Sequence, residues 1–238
     1  YFIRCNVKKS PLQDVRIREA LSITINQQDI IDYVTMGNQS PAAGIVPPFA
    51  GYNSPGNIKF NPEKAKKLLG EAGYPEGNGF PKINFLTTDR ESSKRLAEAL
   101  QAMWKKYLGI EISIQQMEWT SYLNTMMSKE YELAAGGWIG DYMDPLTFLD
   151  MWIKDGGNNR TNWSNEKFEE LLGEAERTAG QKERYEILGR AEKLFLDERP
   201  ILPIYWYTRN YLIHNHVKGW DPLILDNHPY KFLDLVAD

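Results

Sequence analysis

Cysteine is almost missing. Cys5 is the only one in 238 residues, so no disulfide can form within the chain. That suits a cytosolic protein, and equally an exported bacterial protein that does not rely on disulfides. Cys5 shows no activating neighbour and reads as a strand residue rather than a nucleophile. Positive charge is also short. Lys and Arg number 28 against 32 Asp and Glu, a net charge of −4, with no basic run, which excludes the footprint of a nucleic-acid binder. No apolar stretch nears the roughly 18–20 residues that span a bilayer. The G-x-S-x-G elbow is absent, and "GNGFPK" lacks the Walker spacing. Histidines are few: His214, His216 and His228. His214 and His216 alternate as two metal ligands could, but no nearby Cys supports them, and they read rather as strand-end surface residues. No nucleophile–base pair, metal set or cofactor motif emerges. Asn159-Arg-Thr and Asn162-Trp-Ser match the glycosylation triplet, a pattern common by chance.

What is present suits a soluble globular protein of one or two domains: 42% hydrophobic and 25% charged residues. The opening "YFIRCNVKKS" has no initiator Met or signal-peptide features, so the sequence is expected to start inside something, on a strand. Asp14 is placed to cap a helix carrying Val15, Ile17, Leu21 and Ile25, and a short helix follows over 27–33. Residues 37–60, rich in Gly, Pro and Asn, predict a long loop of the kind that is often functional. Asn61, Pro62 and Gly73 bracket a helix. A strand is expected over 82–87 and an amphipathic helix over 91–108, with Leu96, Leu100, Met103, Trp104 and Leu108 on one face. A strand in "GIEISIQQME", a helix over 119–129 and a strand over 132–138 follow. Helices over 164–178 and 181–196 precede an apolar strand region in "RPILPIYWYTRNYLIHN". The tail 217–238 reads as irregular. Alternating strands and helices predict an α/β fold with a mainly parallel sheet flanked by helices.

The stretch "GGWIGDYMDPLTFLDMW", residues 136–152, places two carboxylates close together. Asp144 precedes Pro145 and an apolar helical pattern, which is a helix start. Asp141 falls just past the strand over 132–138. Crevices of parallel α/β sheets open at the carboxyl ends of strands, so Asp141 is either a cleft carboxylate or a solvated turn residue.

This stretch, followed by "GGNNRTNWSNEKFEELL", resembles the peptide-binding proteins of bacterial ABC importers, the family-5 extracellular solute-binding proteins. "PLQDVRIREALSITINQQDII", "NPEKAKKLLGEAGYPEGNGFPKINFLT" and "RPILPIYWYTRNYLIHNHVKGW" resemble other segments of that family, in family order. Members are about twice as long. The resemblance therefore implies a periplasmic-binding-protein-like (type II) C-terminal lobe over 1–213, with hinge strands near 1–8 and 202–213. It implies a closing tail over 214–238 that packs on an N-terminal lobe. It further implies an extracytoplasmic receptor, periplasmic or tethered outside the membrane through an N-terminal segment, that hands peptide to an ABC permease without cofactor or catalysis.

By the same resemblance, Asp141 pairs with a ligand's N-terminal ammonium. Gly137, Trp138 and Ile139 offer backbone to an extended peptide, a mode blind to side chains. Gly136 and Gly137 would admit a second backbone closely, or mark a bend. Trp138 is a pocket wall or core. Tyr142 is grouped with these residues, and Arg160, in the loop 156–164, is a candidate for an anionic end. Some relatives carry a basic residue where this chain has Ala135, which leaves carboxylate recognition and peptide length open. Other solutes remain open, an oligosaccharide stacked on Trp119, Trp138, Trp152 or Trp163, or a nickel complex. So do a hydrolase completed by another portion and a sensory or chaperone-like module.

Overall fold

The structure is a computed structural model that describes residues 1–48, 50–220 and 228–236. Strand β1 (Phe2–Cys5) is buried along its whole length. Helix α1 (Val15–Ile23) starts where the Asp14 carboxylate accepts the Arg16 N–H. Asn26 caps α2 (Gln27–Asp29), which runs into a π-helical turn over Ile30–Thr35. Among the described residues of the long loop, β2 (Ser40–Pro41) is the only regular element. Asn61 accepts the Lys64 N–H, and α3 (Pro62–Glu71) follows. Then come β3 (Ile83–Thr88), α4 (Glu91–Leu108), β4 (Ile112–Met117), α5 (Trp119–Ser128) and β5 (Leu133–Gly136). Helix α6 (Leu146–Leu149) is short. Asn165 caps α7 (Glu166–Arg177), and α8 (Gln181–Glu198), β6 (Ile201–Pro203) and β7 (Tyr205–Trp206) complete the lobe.

Five strands form one sheet in the order β4-β3-β5-β1-β6. β3 pairs in parallel with β4 and β5, while β1 pairs antiparallel with β5 and β6. Four of the five strands therefore point the same way, and β1 runs against them. Alternation along each strand sends side chains to opposite faces. Ile3, Cys5, Phe85 and Leu202 face a core shared with α1, α3 and α4. Trp104 is wholly buried there, and its indole donates to the Leu21 carbonyl at 3.0 Å. Phe2 and Ile201 face a second core built on α7 and α8, and Leu86 and Ala134 face a smaller one under α5. Each large side chain so buried contributes about 1.5–3 kcal/mol.

Two buried charges tie the periphery down. Glu192 of α8 accepts the Ile45 and Val46 N–H groups at 2.9 and 3.1 Å, the Tyr52 hydroxyl at 2.6 Å and the Ser54 hydroxyl at 2.9 Å. The long loop is thus pinned to α8, and burial raises the Glu192 carboxyl above its usual range. Arg18 donates to the Leu12, Gln13, Glu198 and Arg199 carbonyls, joining α1 to the end of α8.

The tail differs from the irregular expectation. β8 (Val217–Lys218) pairs antiparallel with β9 (Asp234–Leu235). Leu212, Tyr230, Phe232 and Leu235 are exposed there. The part of the expected closing tail at 221–227 and 237–238, including Pro222, lies outside the described residues, as does Phe49 of the loop.

Candidate functional site

β3 and β5 end on the same side of the sheet, and at their carboxyl ends opens a cavity of about 680 Å³. Its walls include Thr87 and Thr88 of β3, Trp119 and Tyr122 of α5, and Gly136 of β5. Gly137, Trp138, Ile139, Asp141 and Arg160 all reach it, so five of the six sequence candidates converge. Tyr142 does not. It lines a neighbouring cavity of about 140 Å³, and its hydroxyl donates to the Asp150 carboxylate at 2.8 Å.

The two aspartates are treated differently. Asp144 accepts the Leu146 N–H at 2.8 Å and holds the Arg184 guanidinium in two bonds of 2.5 and 2.8 Å. Its charge is matched, and its work is to start α6. The Asp141 N–H donates to the Thr147 hydroxyl at 3.0 Å, which fixes the turn. Asp141 is exposed and lines the cavity, and its carboxylate has no hydrogen bond or ion pair among the described residues.

β5 stops at Gly136, two residues before the expected end, because Gly136 is the last residue paired with β1, opposite Phe2. Beyond it, the backbone N–H and C=O groups of Gly137, Trp138 and Ile139 have no hydrogen-bond partner among the described residues. The glycines have an internal reason too. A Cβ at Gly136 would lie 1.8 Å from Arg4 Nη1, and one at Gly137 would lie 2.4 Å from the Tyr207 hydroxyl. Trp138 is both wall and packing. It rests against the second core, and its indole donates to the Thr147 carbonyl at 2.8 Å. Ile139 is 60% exposed.

Arg160 sits on a rigid loop. Asn159 is buried, and its amide donates to the Trp152, Ile153 and Trp163 carbonyls at 2.9, 3.1 and 2.8 Å. The Tyr131 hydroxyl donates to the Arg160 carbonyl. Asn159 and Asn162, which donates to the Asn6 side chain at 2.9 Å, are scaffold, and the buried Asn159 is closed to glycosylation. Trp152 and Trp163 are core residues, unavailable for stacking on a sugar, whereas Trp119 lines the cavity and stacks on Tyr122 at 5.6 Å.

Sequence reasoning missed Arg4, which also lines the cavity and is 6% exposed. The available signal was a cation in the middle of an apolar strand. Cys5 is buried and its thiol is pushed up to about 12, so it is inert as a nucleophile. Among the described residues no group of three or more His, Cys, Asp or Glu could hold a metal ion. No helix among them is long and apolar enough to cross a membrane.

A mostly parallel α/β lobe with a large cavity at its strand ends defines a type II periplasmic-binding-protein domain, a class built to bind solutes. Residues 1–160 match the family described as bacterial extracellular solute-binding proteins, family 5 Middle, and the chain belongs to that family. Members are extracytoplasmic solute-binding proteins of ABC importers rather than enzymes. The chain is 35% identical over 228 residues to the oligopeptide-binding protein OppA of Bacillus subtilis, covering 92% of this chain and 42% of that protein. It is 33% identical over 247 residues to the dipeptide-binding protein DppE of the same organism, covering 99% of this chain and 44% of that one. The crystal structure of an oligopeptide-binding protein, OppAIV of Borrelia burgdorferi, superposes with a TM-score of 0.89 at 32% identity, over 99% of this chain and 48% of that one. The chain thus spans less than half the length of these relatives.

Proposed function

We propose that the chain binds an oligopeptide for import through an ABC permease, outside the cytoplasm, by holding the peptide's N-terminal ammonium on Asp141 and its backbone along Gly137–Ile139. One observation carries this reading: an exposed aspartate lining the cavity, beside three residues whose backbone groups, like its carboxylate, have no partner among the described residues. An ammonium buried by closure needs a fixed opposite charge in place of its water. Backbone pairing then holds an extended peptide whatever its side chains.

In this reading residues 1–213 form the C-terminal lobe of a two-lobed receptor, hinged near 1–8 and 202–213, and 214–238 pack on the other lobe. Its support is that β1 and β6 lie side by side in the sheet, and that Leu212, Tyr230, Phe232 and Leu235 are exposed. Closure would complete the site, and the work is recognition, not bond chemistry. Tethering, where it occurs, would come from a segment N-terminal to this chain.

Calorimetric titration of the full-length protein with a peptide and its N-acetylated twin tests the reading. Acetylation is expected to weaken binding about 30- to 100-fold, and Asp141→Asn to remove most of that difference. Equal binding of both peptides to wild type overturns the ammonium role.

A further inference from the structure

Three arginines, Arg4, Arg90 and Arg160, line the cavity against one carboxylate, Asp141, in a chain whose net charge is −4. The excess of positive charge is therefore local. Arg4 is the unusual member. It projects from the middle of β1 on the Phe2 side, with its guanidinium carbon 4.8 Å from the Phe2 ring centroid. Its Nη1 presses against Gly136 of the neighbouring strand. No hydrogen bond or ion pair reaches its guanidinium among the described residues, and its Nε is buried and unpaired. The Arg160 Nε is likewise buried and unpaired. A buried guanidinium and a half-buried one, both without acceptors among the described residues and lining one cavity, are costly to leave so. Burial lowers Arg4's affinity for its proton, and the charge of Arg160 lowers it further. A ligand carboxylate removes both penalties, because a guanidinium presents its N–H donors in a planar fork that fits two carboxylate oxygens.

We propose that Arg4, with Arg160 beside it, is a carboxylate-binding subsite of this cleft, and that it makes the protein select peptides carrying an anionic group there. This rests on the peptide reading and adds a specificity to it. It also offers an anion site to a chain that has Ala135 at the position where some relatives carry a basic residue. The carboxylate could come from a ligand's C-terminus or from an acidic side chain.

Calorimetry on the full-length protein separates the sources. Trialanine as the free acid, trialanine amide, and the amide with one alanine replaced by glutamate would be titrated into wild type, Arg4→Gln and Arg160→Gln. The neutral amide is expected to bind about tenfold or more weaker than at least one acid. Recovery by the glutamate peptide identifies a side-chain carboxylate, and tight binding of the free acid alone identifies the C-terminus. Both support the subsite. Arg4→Gln should erase the preference, bringing the acids down towards the amide, and Arg160→Gln should reduce it. Equal affinities for the three peptides on wild type, or an equal loss for all three in Arg4→Gln, overturn the proposal. A thermal melt with sodium succinate provides a second readout. Succinate should raise the wild-type Tm and not that of Arg4→Gln or Arg160→Gln. If no peptide binds, the peptide reading fails, and the subsite stands or falls on that shift alone.

Discussion

Arg18 and Arg4 are both buried cations, yet their surroundings are opposite. At the closed end of the lobe, Arg18 donates to four backbone carbonyls, drawing the start of α1 and the end of α8 together. At the open end, Arg4 faces a cavity and donates to nothing among the described residues. Burial depresses both pKa values, so electrostatic perturbation alone does not tell them apart. The state of the donors does. A buried cation whose every nitrogen has an acceptor holds the fold together; one with donors facing a void is waiting for an acceptor from outside. Asp144 and Asp141 repeat the contrast in negative charge, the first matched by Arg184 and the second open.

Removing Arg18 should break the comparison most severely. Arg18→Met strips hydrogen bonds from four backbone carbonyls, and a loss of about 3–5 kcal/mol in urea unfolding is expected. Next comes Glu192, the other satisfied charge. Glu192→Ala leaves two N–H groups and two hydroxyls without their acceptor, and should lower stability by about 2–4 kcal/mol, with Glu192→Gln costing less. The folded carboxyl has the raised pKa, so the folded state holds the proton more tightly. Its contribution is therefore greatest below the ordinary glutamate range and falls as pH rises through the folded value. Unfolding curves across that window should show this slope in wild type and lose it in Glu192→Gln. Gly136→Ala places a methyl 1.8 Å from Arg4 Nη1. Arg4 must swing away, and about 1–3 kcal/mol of destabilisation is expected in thermal melts. Arg4→Met sharpens the comparison by its small effect. It exchanges an unpaired buried cation for a side chain of similar length, so stability should stay within about 1 kcal/mol of wild type or rise. A loss as large as that of Arg18→Met would show that Arg4 is scaffold.

Helix starts were legible because their causes are local. Asp14, Asn61 and Asn165 each accept an N–H two or three residues on, and spacing alone reveals such a cap. The run from Glu91 to Leu108 was equally plain from its apolar stripe. The end of β5 was not, because it is set by the extent of β1, more than a hundred residues away in the chain. Asp141 was legible through its place after a strand, and Asp144 through the proline behind it. Glu192 looks like any acid on an amphipathic helix until the long loop wraps over it. Arg4 stood out as a cation in an apolar strand, but its surroundings were hidden for the same reason: its neighbours Gly136, Tyr122 and Arg160 come from distant segments.

The seat that Gly136 provides for the Arg4 side chain ties two positions into a single inherited choice. A homologue with any β-carbon at the former would need a shorter or redirected residue at the latter. Across descendants of one ancestor the two sites should mutate in step, and reversing one without the other should be selected against.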